Sequence, residues 1–511
     1  MRAMEAYRMI PAMNVPTFEF GKVDDCGHGI YRQIVNETTR EDYVEYLDLL
    51  KKEGFEKISG VQLGMDGKYP SMNETYKKED LLVCVTYSTY WGRTYITSQP
   101  DLFRMPWKAE DLFQNVPKCN ATEAVHYGAG NYVITKEGDY EDYKLYLKEL
   151  EENDFQKIVD NGEGLDSSVF NSIYVKDNLT LNITHSVRKH KTYISACFDV
   201  PLSKHLFYNE AVVRNNPKDS KTTLHMMEMW FNGNSFVFQL KNGHFIISDG
   251  GTGHEIKYLI DYLESLTPKG EKPIIDAWFI SHVHWDHCGV LRAITVGEDK
   301  LAERVHVNGV YFSEPNDNVM NLDSVARGDM FMLRNIPKYL KTEEGKPTPM
   351  YRPQTGQRYY FNDITVDILF AQEQLPDDDY SGDINDSSTW LLFTIEGQKC
   401  LLGGDGDTGS MQKIMEMYSR EYLTLDMFSV LHHTINTWDP FTDYCTVQTV
   451  LGTQRGEPTV RIEKNQRLKE ATKEWLRTDD GTRVLTFPYV VGNSKVVPHI
   501  EWIYHKDMQR P

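Results

Sequence analysis

Between Trp278 and Leu291 the chain reads WFISHVHWDHCGVL. The apolar run that leads in, IIDAWFIS, has the length and composition of a strand buried on both faces. His282, His284, Asp286 and His287 then fall within six positions. Polar side chains of this kind are costly to bury unless they are paired or hold a cation. The strand therefore has to end at an open sheet edge, and the residues after it read as a helix. A buried strand passing into a helix through such a cluster calls for an α/β sheet with its ligand site at the carboxyl ends of the strands.

The flanking sequence fits that frame. LHMMEMWFNGNSFVFQLKNGHFIISDGG reads as three strands joined by turns at Asn232-Gly233 and Asn242-Gly243, both strong hairpin signals. The third strand, Phe245 to Ser248, delivers Asp249-Gly250-Gly251 at its end. HEIKYLIDYLESL follows as a helix with Ile256, Leu259, Ile260 and Leu263 on one face. Imidazole and carboxylate are zinc ligands. In an extended turn His282 and His284 point the same way and Asp286 and His287 face a neighbouring position, so one short segment can serve two ions.

H-x-H-x-D-H after a buried strand, with D-G-G ending an earlier one, resembles the metallo-β-lactamase superfamily over most of Thr222 to Pro511. The resemblance implies an αβ/βα sandwich, two sheets face to face with helices outside. It implies that His282 and His284 bind one metal and Asp286 and His287 the other. GQRYYFNDITVDILF, NDSSTWLLFTIEGQKCLLGGDGD and LDMFSVLHHT follow in order. They resemble the hydrolase branch that holds the C-terminal domains of DNA-uptake competence proteins and phosphorylcholine esterases. On that match Asp405 is the metal-bridging carboxylate and His432 the late ligand, with His433 its alternative. Asp286 and Asp405 would orient the attacking hydroxide. Two departures stand out. Only His306 lies between His287 and Asp405, inside an apparent strand, so the first metal has two imidazoles and Asp405, with Asn385 or Asp386 as further donors. The branch's HHGS is HHTI here, with Thr434 in place of glycine. Cys288 reads as a small buried side chain. Trp285, Trp390 and Trp438 are candidates for lining a pocket, and Gln374 to Asp386 reads as a solvated acidic loop.

The first half of the chain repeats itself. YVEYLDLLKKEGFEKI from Tyr43 matches YKLYLKELEENDFQKI from Tyr143, with Tyr, Leu and Phe at amphipathic helical spacing. Gly54 ends the first helix, and Asn153 or Asp154 the second. YKKEDLLVCVTYS from Tyr76 then pairs with YVKDNLTLNITHS from Tyr174 as alternating strands. No ligand cluster or phosphate loop occurs in it, and His126, His185 and His190 are isolated. The expected organisation is two α+β copies, residues 1–110 and 111–215, ahead of a metallo-β-lactamase-like unit, 216–511. The last unit carries every candidate ligand and is expected to bind metal alone. The repeat is the expected route to a homo-oligomer.

The chain has 511 residues and a formal charge of −20. That excess opposes a polyanion, because nonspecific nucleic-acid binding draws on basic side chains neutralising phosphates. The 7 cysteines are scattered and read as free thiols of a reducing compartment. The N-terminus lacks the apolar core of a signal peptide and no run suits a membrane span, so the cytoplasm is the expected location. The expected function is a metal-dependent hydrolase that generates hydroxide at one or two zinc ions, with manganese and iron as alternatives. Its expected substrate is a small molecule, a phosphodiester ahead of a carboxylic ester, lactone or amide. A non-catalytic metal-binding scaffold is the reading from another class.

Overall fold

The computed structural model describes residues 7–10, 13–18, 20–25, 31–63, 71–88, 92–100, 116–117, 124–126, 131–198, 200–210, 217, 219–229, 233–296, 300–314, 333–371, 384–434, 438–453 and 465–497. Cys26, Cys119, Asn232 and the acidic stretch from Gln374 to Asp383 lie outside the described residues.

Alternation in the first half of the chain becomes two six-stranded antiparallel sheets. In the first the strand order is Lys22–Asp25, Tyr31–Asn36, Arg93–Pro100, Leu81–Ser88, Ser71–Lys78, Glu56–Leu63. In the second it is Ala124–His126, Asn131–Glu137, Lys191–Phe198, Leu179–Ser186, Val169–Lys176, Gln156–Asp166, the same order element for element. Each sheet carries one helix, Arg40–Lys52 and Tyr140–Glu152. Both helices open with a capping box, from Thr39 with Asp42 and from Asp139 with Asp142, which satisfies amides that the first turn leaves unbonded. Both bury the residues the spacing selects, Tyr43, Tyr46, Leu47 and Leu50 and their counterparts Tyr143, Tyr146, Leu147 and Leu150. The chain leaves the helices through left-handed residues, Gly54 (φ 85°) and Asp154 (φ 65°).

The second half folds as two larger sheets. Nine strands form one, ordered Met350–Tyr351, Val310–Phe312, Ile274–Ile280, Phe245–Ser248, Phe236–Gln239, Thr223–Met226, Thr482–Thr486, Lys495–Val497, with His306–Val307 also against Ile274–Ile280. Seven form the other, Arg358–Phe361, Ile364–Phe370, Trp390–Ile395, Gln398–Leu402, Thr424–Ser429, Thr446–Gly452, Glu474–Arg477. Their inner faces meet in an aromatic layer: Phe238 stacks on Phe393 at 4.3 Å, and Phe279, Tyr311, Tyr359 and Phe361 pack beside them. Opposite faces of the strands pack on helices. Ile247 and Ile280 share a core with Leu259 and Leu263 of helix Ile256–Leu266 and Val290 and Leu291 of helix Trp285–Val296. Leu401 and Phe428 share it with Met411 and Ile414 of helix Thr408–Met417.

The strands Thr223–Met226 and Phe236–Gln239 pair antiparallel, and the turn expected between them at Asn232-Gly233 lies outside the described residues at Asn232. Met227 and Met229, after the first of these strands, are buried in the core. No helix among the described residues is long and apolar enough to cross a membrane, which says nothing of spans built from strands.

The second N-terminal sheet and the C-terminal half are packed together. Val159 and Ile173 belong to the core between the large sheets, and Leu165 and Val169 to the helix-side core. Asn182 Nδ2 and Thr184 Oγ1 donate to the Thr355 carbonyl at 3.2 and 2.7 Å, and the Ser419 amide donates to Asp166 Oδ2 at 2.7 Å.

Candidate metal centre

Four strand ends build the site, two from each large sheet. Phe245–Ser248 and Ile274–Ile280 run parallel, so Asp249 and the segment after Ile280 emerge side by side. Gln398–Leu402 and Thr424–Ser429 are likewise parallel in the facing sheet, and they deliver Asp405 and the pair His432–His433. The two edges are tied together where the Thr389 amide donates to the Ser281 carbonyl at 2.9 Å, and within the second edge the His432 amide donates to the Gly404 carbonyl at 3.2 Å. Gly404 sits at φ 53°, and a Cβ there would lie 2.6 Å from the Ser281 side chain, so only glycine lets the two edges approach this closely.

Two groups of ligand-type side chains result: His282, His284 and Asp405, and Asp286, His287 and His433. His282 Nε2 is 2.9 Å from His284 Nδ1, and His287 Nε2 is 3.3 Å from His433 Nε2. His433 Nε2 is also 3.2 Å from Asp286 Oδ2. Asp405, only 2% exposed, faces both groups. Its Oδ1 is 3.0 Å from His287 Nε2, and its Oδ2 is 3.4 Å from His433 Nε2 and 3.9 Å from His282 Nε2. Basic ring nitrogens aimed at one another across such gaps are compatible only with a shared proton or a cation. Neutral imidazole and carboxylate at this density are the donors zinc takes, so the residues present fit a pair of divalent ions.

Electrostatics follow from crowding. Burial, then the neighbouring His287 and His284, holds His282 well below the usual imidazole range. Burial acts in the same sense on His287 and His433, but the Asp405 charge outweighs it. His287 is raised well above its ordinary value, with Asp249 helping, and His433 is pushed up to about 9. Burial raises the Asp405 carboxyl, but His287 and His433 hold it well below the usual carboxylate range.

A buried outer layer orients these groups. Asp249, 1% exposed and at φ 58°, accepts from the Ser281 amide and hydroxyl at 2.8 Å each. Its Oδ2 is also 2.8 Å from His287 Nδ1, which points Nε2 of that ring at Asp405. Ser388 Oγ lies 3.3 Å from His282 Nδ1 and accepts the Asp405 amide at 3.2 Å. The Asn234 amide donates to the Asp286 carbonyl at 3.0 Å. The D-G-G at a strand end was the one sequence sign of Asp249, and its role needed the partner ring.

Of the residues singled out in the sequence, His282, His284, Asp286, His287 and Asp405 fall in the two groups, and His433 closes the second. His432 lies outside both groups, with Nε2 3.8 Å from Asp405 Oδ2 and its side chain 33% exposed. His306 pairs with Ile274, at the end of that strand remote from the cluster. Asn385 is buried but in neither group, and Cys288 is a fully buried core residue. Trp390 is buried against Phe441 and Trp438 packs on the core, whereas Trp285, between two candidate ligands, is 43% exposed.

No protein-family model and no curated protein matches this sequence. Among solved structures, zinc-bound PqqB from Methylobacterium extorquens is similar over 52% of this chain and 99% of its own, at 9% identity and a TM-score of 0.32, a likeness too slight to argue from.

Proposed function

We propose that this chain is a zinc-dependent hydrolase of the metallo-β-lactamase superfamily that cleaves a phosphodiester in a small molecule. The observation that carries the reading is the Asp405 carboxylate, buried between two three-residue groups with imidazole nitrogens at 3.0, 3.4 and 3.9 Å from its oxygens. His282, His284 and Asp405 would hold one ion. Asp286, His287 and His433 would hold the other, with Asp405 shared. Ions held there supply Lewis acidity and lower the pKa of water toward neutrality. The chain's own part is to keep the donors in register. Asp249 fixes the His287 tautomer, Ser388 fixes His282 and the Asp405 backbone, and the Asp405 and Asp286 oxygens accept the proton that orients the attacking water.

The phosphodiester rests on the sequence resemblance to the competence-protein and phosphorylcholine-esterase branch. A small substrate rests on the charge of −20, which opposes a polyanion. We read the two matched N-terminal sheets as copies of one unit, residues 1–110 and 111–215, that supports the catalytic unit, 216–511.

The test is Asp405→Asn, which keeps the shape and removes the charge. Chromogenic phosphodiesters, carboxylic esters, lactones and β-lactams would be offered with zinc, manganese or iron added. Loss of one ion's Lewis acidity should lower turnover on the order of a hundredfold or more, with about half of the bound metal retained. Turnover within threefold of wild type would remove the bridging role. Cleavage of an ester or lactone but no phosphodiester would reassign the substrate. A purified chain with no bound metal would leave a scaffold.

A further inference from the structure

The second N-terminal sheet packs on the C-terminal half through one face. Val159 and Ile173 lie in the core between the large sheets, and Asn182 and Thr184 bond to Thr355. Asp160 and Ser172, one residue from Val159 and Ile173, fall on the opposite face by strand alternation, the face that carries helix Tyr140–Glu152. Between that helix and the strands Gln156–Asp166 and Val169–Lys176 lies a cleft of about 270 Å³. We infer that this cleft is a binding site for a small aromatic anion, a single ring bearing a carboxylate or a phosphate, and that the first copy does not share it. The inference is independent of the metal pair.

The floor selects a ring. Tyr140 and Phe170 meet at 4.3 Å, and Tyr143 lies 5.8 Å from Tyr140. The layer is fixed before any ligand arrives. The Tyr143 hydroxyl is 2.9 Å from Ser172 Oγ, and the buried His185 ring stacks on Tyr143 at 5.3 Å. Aromatic rings gain from offset or edge contact with another ring, and a prepared surface loses less freedom on binding. Volume sets the size. Drug-sized ligands fill about 300–1,000 Å³, so this cleft suits one ring and its substituent.

The rim selects the charge. Three lysines, Lys144, Lys148 and Lys157, line the cleft with two acids, Glu151 and Asp160, a net positive charge in a chain of −20. Lys157 is held between Glu151 and Asp160 at 3.1 and 3.2 Å. Lys144 and Lys148 pair instead with Glu141 and Glu152 at 2.6 and 3.4 Å, neither of which lines the cleft. Exposed pairs of this kind are worth little, so both ammonium groups can turn to an anion at small cost. A cationic ligand is disfavoured, because Lys144 Nζ already lies 4.9 Å over the Tyr140 ring, where an added cation would meet like charge.

The first copy supplies the comparison. Tyr43 and Leu47 stand where the second copy has Tyr143 and Leu147, and all four are buried beneath their helices. Floor and rim are not kept. Arg40, Val44 and Asp48 stand in place of Tyr140, Lys144 and Lys148, and Met72 in place of Phe170. Glu74 replaces Ser172 and pairs at 2.7 Å with Lys57, the counterpart of Lys157. Packing of helix on sheet accounts for what the copies share. It does not account for a ring pair and two lysines gathered at one cleft in the copy that docks on the C-terminal half.

The experiment is calorimetric titration of the full-length chain with benzoate and with phenylphosphonate, a carboxylate and a phosphate stand-in on the same ring. Acetate controls for the ring and benzylamine for the charge. Wild type should bind one equivalent of either aromatic anion and neither control, equally with added zinc and with chelator, because no residue of the cleft is a candidate metal ligand. The tighter of the two anions names the acidic group. Lys144→Val with Lys148→Asp, the first copy's residues at exposed helix positions, should weaken binding about tenfold or more with unchanged melting. Phe170→Met should weaken it about fivefold. No saturable binding of either anion up to about 10 mM overturns the site. So does wild-type affinity in the double lysine variant, which would put the ligand elsewhere. Benzylamine bound as tightly as the anions overturns the charge selection, and acetate bound as tightly overturns the ring.

Discussion

At the scale of single residues, a carboxylate outside both groups of ligand-type side chains orients the candidate centre. Asp249 takes up strain at φ 58° and spends its oxygens on Ser281 and on His287 Nδ1. Outer partners of this kind tune metal affinity by about 10- to 100-fold. Asp249→Asn should therefore weaken the site that contains His287 by about that factor while His282 and His284 bind as before, which titration of the full-length chain with zinc against a chromophoric chelator would measure. The raised His433, pushed up to about 9, gives a pH signature. Below that value its ring is protonated and zinc must displace the proton. Apparent affinity should rise about tenfold per pH unit from neutrality and level off near pH 9. The metal-free chain should behave in the opposite sense. A raised imidazole stabilises the fold fully below its ordinary value of 6.5, and that contribution is lost as pH rises through about 9. Denaturant melts in chelator at pH 6 and pH 9 would show it, and equal stability at both would refute it. Four candidate ligands were legible because they lie in one segment. Which of His432 and His433 joins a group was not, since neighbouring identical residues are told apart only by where the backbone turn aims each ring, and apolar periodicity carries no sign of that.

Elements explain why the segments meet. Each ligand-bearing stretch follows an apolar strand, and such runs are readable because burial on both faces removes polar residues from them. What could not be read was that two strand ends come from each of two facing sheets, because periodicity marks a buried face without naming what covers it. The tightest joint between the sheets is Gly404, where a Cβ would come within 2.6 Å of Ser281. Gly404→Ala should push Asp405 off both groups and so act as Asp405→Asn does, with about half of the bound metal lost although no ligand has been replaced. Wild-type zinc uptake by Gly404→Ala would show that this close approach does not position Asp405. Thr434 gives the converse case. It holds φ 74° where the resembling branch has glycine. Thr434→Gly should leave melting unchanged or raise it by about 1 kcal/mol, the relieved strain set against a more flexible unfolded chain.

For the whole molecule, the question is which parts fold together. Matching Tyr and Leu positions made both N-terminal helices legible, and the two sheets share one strand order. Sequence likeness does not extend to their surroundings. Among the described residues, the first sheet's core cluster draws only on residues between Met13 and Ile96. The second contributes Leu165 and Val169 to one C-terminal core and Val159, Ile173 and Leu206 with its following segment to the other. Each such side chain is worth about 1.5–3 kcal/mol when buried, so the five together rival the ~5–15 kcal/mol by which a domain is stable. The seam also reaches toward the site. Arg188 donates to the carbonyls of Met415 and Glu416, and Lys189 pairs with Glu416 at 2.7 Å. These residues close the helix Thr408–Met417 that begins just after Asp405. A chain of residues 124–511 should therefore melt cooperatively and take up zinc with the full-length stoichiometry. A chain of residues 222–511, although it keeps every candidate ligand, should lose cooperative melting and bind zinc at least tenfold more weakly. This reverses the expectation that the ligand-bearing unit suffices alone. Calorimetry and zinc titration of both fragments would decide, and a shorter fragment that melts and binds like the longer one would show that the second sheet is merely attached.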